Sequence, residues 1–83
     1  MENITLRLDL LNDGRIVPLC YLTPEEKTIR VDRTLNYTTM QNEDNSLSHI
    51  ITCRCGTRKI KFEVVSTPIG LFCSIIDNSE YST

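Results

Sequence analysis

Tryptophan is absent from this chain, and its aromatics are limited to two Phe and three Tyr in 83 residues. Any core must therefore be assembled from Leu, Ile and Val. Long apolar runs are missing too. No stretch approaches the ~18 to 20 residues of a membrane span, and the N-terminus lacks a basic segment followed by an apolar one. These absences predict a soluble, cytoplasmic chain with no membrane partner. In that reducing compartment the four cysteines are expected as free thiols. Histidine occurs once, at His49, with no Ser, Cys or carboxylate at a recognisable spacing. A nucleophile–base arrangement has no support, so no enzyme and no cofactor are expected. The net charge of −2 argues against a general nucleic-acid coating protein, which is usually strongly basic. Repeats, linkers and helical periodicity are not found.

What the chain does have is strand alternation punctuated by turn signals. Ile4, Leu6, Leu8 and Leu10 alternate with Thr5, Arg7 and Asp9, the pattern of a half-buried strand. Asp13-Gly14 then reads as a two-residue type I′ loop, which would set Leu10 against Val17, Leu8 against Leu19 and Leu6 against Tyr21. The returning strand, Ile16 to Leu22, is apolar on both faces and contains Pro18, which belongs at an edge or a bulge. Its outward set, Ile16, Pro18, Cys20 and Leu22 with Leu11 across from it, is the candidate partner-binding surface. Thr23 to Glu26 reads as a turn. Lys27 to Met40 is strand-forming, with a bend or bulge expected near Asp32-Arg33 and an ion pair between those two residues fixing it. Gln41 to Ser46 is polar and flexible in composition.

The stretch from Ile50 to Val65 specifies its own register. Gly56-Thr57 is a two-residue loop with Gly first, as a type II′ turn requires, so Cys55 lies opposite Arg58. Stepping back, Cys53 meets Ile60, Ile51 meets Phe62 and His49 meets Val64 on one apolar face. Arg54 meets Lys59, Thr52 meets Lys61 and Ile50 meets Glu63 on the other. The second face is basic, and Arg54, Arg58, Lys59 and Lys61 form the candidate anion or nucleic-acid contact. No aromatic is expected there, because Phe62 points inward. Thr67 to Gly70 reads as a turn that places Cys73 opposite Val64, followed by a short strand from Leu71 to Ile76 and a frayed tail over residues 77–83. Cys53-x-Cys55 lacks the spacing of a zinc knuckle, so Cys53 and Cys73 read as small core residues and no metal is expected.

These elements predict an all-β domain over residues 1–76: a small open SH3-like β-barrel of five to six antiparallel strands built from two tight hairpins, or alternatively a two-layer sandwich. Ile29-x-Val31-Asp32-Arg33-x-Leu35, Thr52-Cys53-Arg54 and Ile60-x-Phe62-Glu63 together resemble a family of small uncharacterised bacterial all-β proteins. In that family an I-D-R-x-L strand precedes a T-C-R strand. The resemblance spans Gly14 to Phe72 and implies a compact all-β fold without an established activity. This chain departs from it at Gln41 to Ser46, which is acidic and Asn-rich where the family is Gly- and Lys-rich, so a basic-loop role does not carry over. The expected function is a non-enzymatic module that binds a protein partner through surplus apolar surface, for instance a mobile-element inhibitor or adaptor, or a homo-oligomer. The second reading is a nucleic-acid-binding barrel using the basic hairpin over residues 54–61.

Overall fold

The computed structural model describes residues 2–82; Met1 and Thr83, the outermost residues of the expected domain and tail, lie outside them. Eight strands form: β1 (Glu2–Asn3), β2 (Thr5–Leu10), β3 (Ile16–Leu22), β4 (Thr28–Arg30), β5 (Arg33–Gln41), β6 (Leu47–Cys55), β7 (Arg58–Thr67) and β8 (Gly70–Glu80). They make a five-stranded sheet in the order β1-β8-β7-β6-β5 and a three-stranded sheet in the order β2-β3-β4, antiparallel throughout. No helix is present among the described residues, and so none is long and apolar enough to cross a membrane.

The chain passes between the sheets at two corners, Ile4 and Val31-Asp32. Backbone bonding continues through both. Ile4 N–H donates to Cys73 O at 3.2 Å, Val31 N–H to Leu19 O at 2.9 Å and Asp32 N–H to Arg54 O at 2.8 Å. Two bent segments thus join the two sheets without closing a barrel. The bend expected near Asp32-Arg33 is this second corner, and Leu35 is bulged just beyond it, between Thr34 opposite Cys53 and Asn36 opposite Thr52.

The core lies between the sheets. Ile51, Cys53, Ile60, Phe62 and Val64 are fully buried on the five-stranded side, and Ile16, Tyr21 and Val31 close over them. Tyr21 meets Phe62 edge-on, with ring centroids 5.5 Å apart. This is a core of branched aliphatics with few rings, as the composition requires.

Three loops share one geometry. In each, the first N–H donates to the carbonyl four residues on, and the fourth N–H returns to the first carbonyl. They span Leu11 to Arg15, Thr23 to Lys27 and Asn42 to Ser46. The fourth residue has positive φ in every case: Gly14 at 89°, Glu26 at 63° and Asn45 at 69°. This is a type I turn closed by a left-handed residue, a three-residue hairpin loop. It corrects the first hairpin, which is not type I′. Asp13 Oδ1 accepts the Arg15 N–H at 3.0 Å, and Asp13 keeps a negative φ. The extra loop residue shifts the register by one, to Leu10 opposite Ile16 and Leu8 opposite Pro18. A bulge at Leu19 then restores Leu6 opposite Tyr21. The loop at residues 41–46 is likewise an ordered turn: Asp44 Oδ1 accepts the Ser46 hydroxyl at 2.6 Å, and the Asn42 amide bonds Ser48 at 2.8 Å.

The tail expected to fray is strand as far as Glu80. Ile76 bulges between Ile75, opposite Phe62, and Asp77, opposite Lys61. From there Asp77, Ser79 and Glu80 stand opposite Lys61, Lys59 and Arg58. A polar segment earns no apolar alternation, but it can still complete the ladder of a neighbour.

Glu26 bears the cost of a left-handed non-glycine residue, roughly 1 kcal/mol. Replacing it with Gly is expected to raise the urea midpoint, whereas Gly56→Ala, at φ 63°, is expected to lower it by an equivalent of about 1 kcal/mol. Equal midpoints for both variants would contradict these loop conformations.

Candidate binding face

The hairpin β6–β7 organises the outer surface of the five-stranded sheet. Gly56 has positive φ and Thr57 does not, so the loop is type II′. Every pair from Cys55–Arg58 to His49–Val64 forms in the expected register. A two-residue loop makes Cys55–Arg58 a hydrogen-bonded pair. Arg54–Lys59, Thr52–Lys61 and Ile50–Glu63 are then the non-bonded pairs, whose side chains stand closest.

The flanking strands extend these pairs into rows. Arg33 on β5 lies opposite Arg54, and Lys59 opposite Ser79 on β8; the row therefore runs Arg33, Arg54, Lys59, Ser79. The next row runs Asn36, Thr52, Lys61, Asp77. Leu35, Asn36, Thr52, Lys59, Lys61 and Asp77 line a hollow of about 330 Å³ between them. Farther along lie Thr38, Ile50, Glu63, Ser74 and then Met40, Ser48, Val65, Phe72. Phe72 and Met40 are 54% and 52% exposed, and Ile50 and Val65 are half-buried beside them. One end of the face is thus cationic and the other apolar.

Among the described residues these cations have no carboxylate within 4.0 Å. Among the described residues the ion pair within 4.0 Å is Arg15–Asp13, on the first hairpin. The ion pair expected between Asp32 and Arg33 does not form, because the Asp32 carboxylate accepts the Gly56 N–H at 2.7 Å and so clamps the hairpin loop to the sheet corner. Arg33 instead reaches the Tyr81 hydroxyl at 3.4 Å. Arg54 donates from Nε to Gly56 O at 3.1 Å, and its guanidinium lies 4.7 Å from the Tyr81 ring centre. Tyr81 is held by its own N–H, which donates to Thr57 O at 2.8 Å. This aromatic stands on the basic face where none was expected. Arg33 and Tyr81 are the members that sequence reasoning missed. Arg58 leaves the set: it has the opposite parity and donates to Asn78 Oδ1 at 2.9 Å.

The expected apolar surface on β3 is not assembled. Ile16 is 2% exposed and Pro18 is buried, because the longer first loop and the Leu19 bulge exchange the inward and outward positions of that half of the strand. Leu10 and Leu19 are exposed in their place, at 66% and 43%. Leu11 lies at the loop, Cys20 stands between Arg7 and Arg30, and Leu22 lines a separate hollow with Ile4 and Pro24.

Burial pushes the Cys53 and Cys73 thiols up, and Cys55 up to about 12, with Cys53 and Asp32 adding to it. All three stay protonated at neutral pH, which makes them poor nucleophiles. Among the described residues no three His, Cys, Asp or Glu side chains gather as metal ligands would.

His49 is buried on the inner face, and its Nδ1 lies 2.7 Å from the Tyr37 hydroxyl. That hydroxyl accepts the Ile16 N–H at 2.9 Å, so its own proton is free to go to Nδ1, consistent with a neutral imidazole. The chain Ile16–Tyr37–His49 ties β3 to β5 and β6. Burial lowers the His49 pKa below the ordinary value. The unfolded chain therefore takes up the proton first, and the stability held above about pH 6.5 declines as pH falls through the folded value. Urea midpoints measured between pH 7.5 and 5.5 are expected to fall for the natural chain and to stay flatter for His49→Gln; parallel slopes would place the titration elsewhere.

Compared with known proteins, the chain matches no family model, no curated protein and no solved structure.

Proposed function

We propose that the protein is a non-enzymatic binding module that recognises another protein through the outer face of the five-stranded sheet. The observation that carries this reading is the juxtaposition on one face of an apolar end with a basic end. Phe72 and Met40 are more than half exposed beside Val65 and Ile50, and Arg33, Arg54, Lys59 and Lys61 continue the same surface. Aromatic, Met and Arg side chains are those enriched where proteins meet. The complementary partner carries an apolar segment bordered by acidic residues, and steering by the basic end favours such a partner over neutral ones. Strands on both sides of β6 and β7 hold this face, so little ordering is needed on contact.

A partner recovered from native lysate in stoichiometric amount, and retained after nuclease, is expected to be lost by Phe72→Asp and by Met40→Asp. A central hot spot is worth about 2 kcal/mol or more, roughly a thirtyfold loss in affinity. Leu19→Asp, on the other sheet, is expected to retain it. Loss with Leu19→Asp and retention with both face variants would overturn the assignment, with unchanged urea unfolding showing that each variant is folded.

A further inference from the structure

The basic end of the face has a feature that protein recognition does not require. Arg33, Arg54 and Lys59 stand directly opposite one another on three adjacent strands, about 4.8 Å apart in the pairing direction. Like charges in that position destabilise a sheet. No carboxylate lies within 4.0 Å of them among the described residues, and the residue opposite Lys59 on β8 is the neutral Ser79. The nearest acid in the neighbouring row, Asp77, stands opposite Lys61.

We infer that Arg33, Arg54, Lys59 and Lys61, with the Thr52 and Asn36 side chains between them, form a site for the phosphodiester backbone of a single-stranded nucleic acid. This goes beyond the protein-recognition reading and does not depend on it. Three observations converge. First, both guanidinium groups already have partners on this face: Arg54 donates to Gly56 O and lies over the Tyr81 ring, and Arg33 reaches the Tyr81 hydroxyl at 3.4 Å. Planar guanidinium forks suit phosphate oxygens. Second, the two rows lie two residues apart along β6, about 6.8 Å. Anionic groups repeated along a chain can meet them in succession. The hollow of about 330 Å³ between the rows is lined by both lysines, the Thr52 hydroxyl and the Asn36 amide, with the Asp77 carboxylate beside Lys61. Third, Tyr81, with the Arg54 guanidinium 4.7 Å from its ring centre, sets an aromatic ring beside the row, the kind of side chain that sequence-tolerant strand binders use for bases.

The test is fluorescence anisotropy of a labelled dT12 oligonucleotide titrated with the full chain at 50 and 200 mM salt. Saturable binding is expected. With three to four phosphate contacts the log–log salt slope should be about −2 to −3. Arg33→Glu and Lys59→Glu should each weaken binding at least tenfold while leaving the melting temperature unchanged or higher, because the like-charge row is relieved. Phe72→Asp should bind dT12 normally, which separates this site from the apolar end of the face. Polyglutamate at equal charge concentration, and pyrophosphate, should fail to displace the oligonucleotide. The proposal is overturned by absence of saturable binding at 50 mM salt, or by indifference to both glutamate variants. Displacement by polyglutamate would overturn it in favour of an acidic-peptide site, and displacement by pyrophosphate in favour of a free-phosphate site.

Discussion

The type II′ loop at Gly56-Thr57, clamped by Asp32, is the constraint on which the rest of the structure depends. A strand side chain alternates with period two, so a slip of one residue in β6–β7 would exchange Arg54, Lys59 and Lys61 with Cys53, Ile60 and Phe62. Burying three cations is far more costly than any local gain. The loop also decides which pairs are of the close, non-bonded kind, and these are the pairs of the outer face. The Asp32 carboxylate on the Gly56 amide then couples the loop to the corner where the chain leaves the small sheet. One side chain thus links hairpin register to the junction between the sheets.

From that frame both faces follow. The inner side packs Ile51, Phe62, Ile60 and Val64 under β3, and the buried Ile16–Tyr37–His49 chain satisfies polar groups there without a charge. No buried side-chain nitrogen or oxygen among the described residues is left without a partner. The outer side keeps what the core has no use for: an apolar end that remains wet and a cationic end whose side chains form no ion pair within 4.0 Å among the described residues. A small chain short of aromatics nevertheless leaves Phe72 exposed and sets Tyr81 beside two arginines.

How much of this was legible in the sequence varies by segment. The β6–β7 register was fully legible, because an apolar-polar alternation and a Gly-first loop specify the same pairing. Cys73 opposite Val64 and the bend at Val31-Asp32 were legible for similar reasons. The first hairpin was half legible. Asp13-Gly14 marks the turn, but its type depends on Asp13 bonding Arg15, and both candidate registers place apolar residues inward because β3 is apolar on both faces. The apolar surface expected on Ile16 and Pro18 was lost with that ambiguity. The strand from Asp77 to Glu80 was not legible, since polar residues at a sheet margin carry no periodic signal. Tyr81 and Arg33 went unseen with it, because their meeting is set by sequence-distant strands. Asp32 was seen as charged and near a bend, but its backbone partner lies 24 residues away.

The most direct test of the central claim, that the outer face of the five-stranded sheet is the contact surface, is hydroxyl-radical footprinting of the chain free and bound to its captured partner. Oxidation of Met40 and Phe72 is expected to fall on binding while oxidation of Leu10 and Leu19, exposed on the other sheet, is unchanged. Protection of Leu10 and Leu19 with Met40 and Phe72 still oxidised would contradict it.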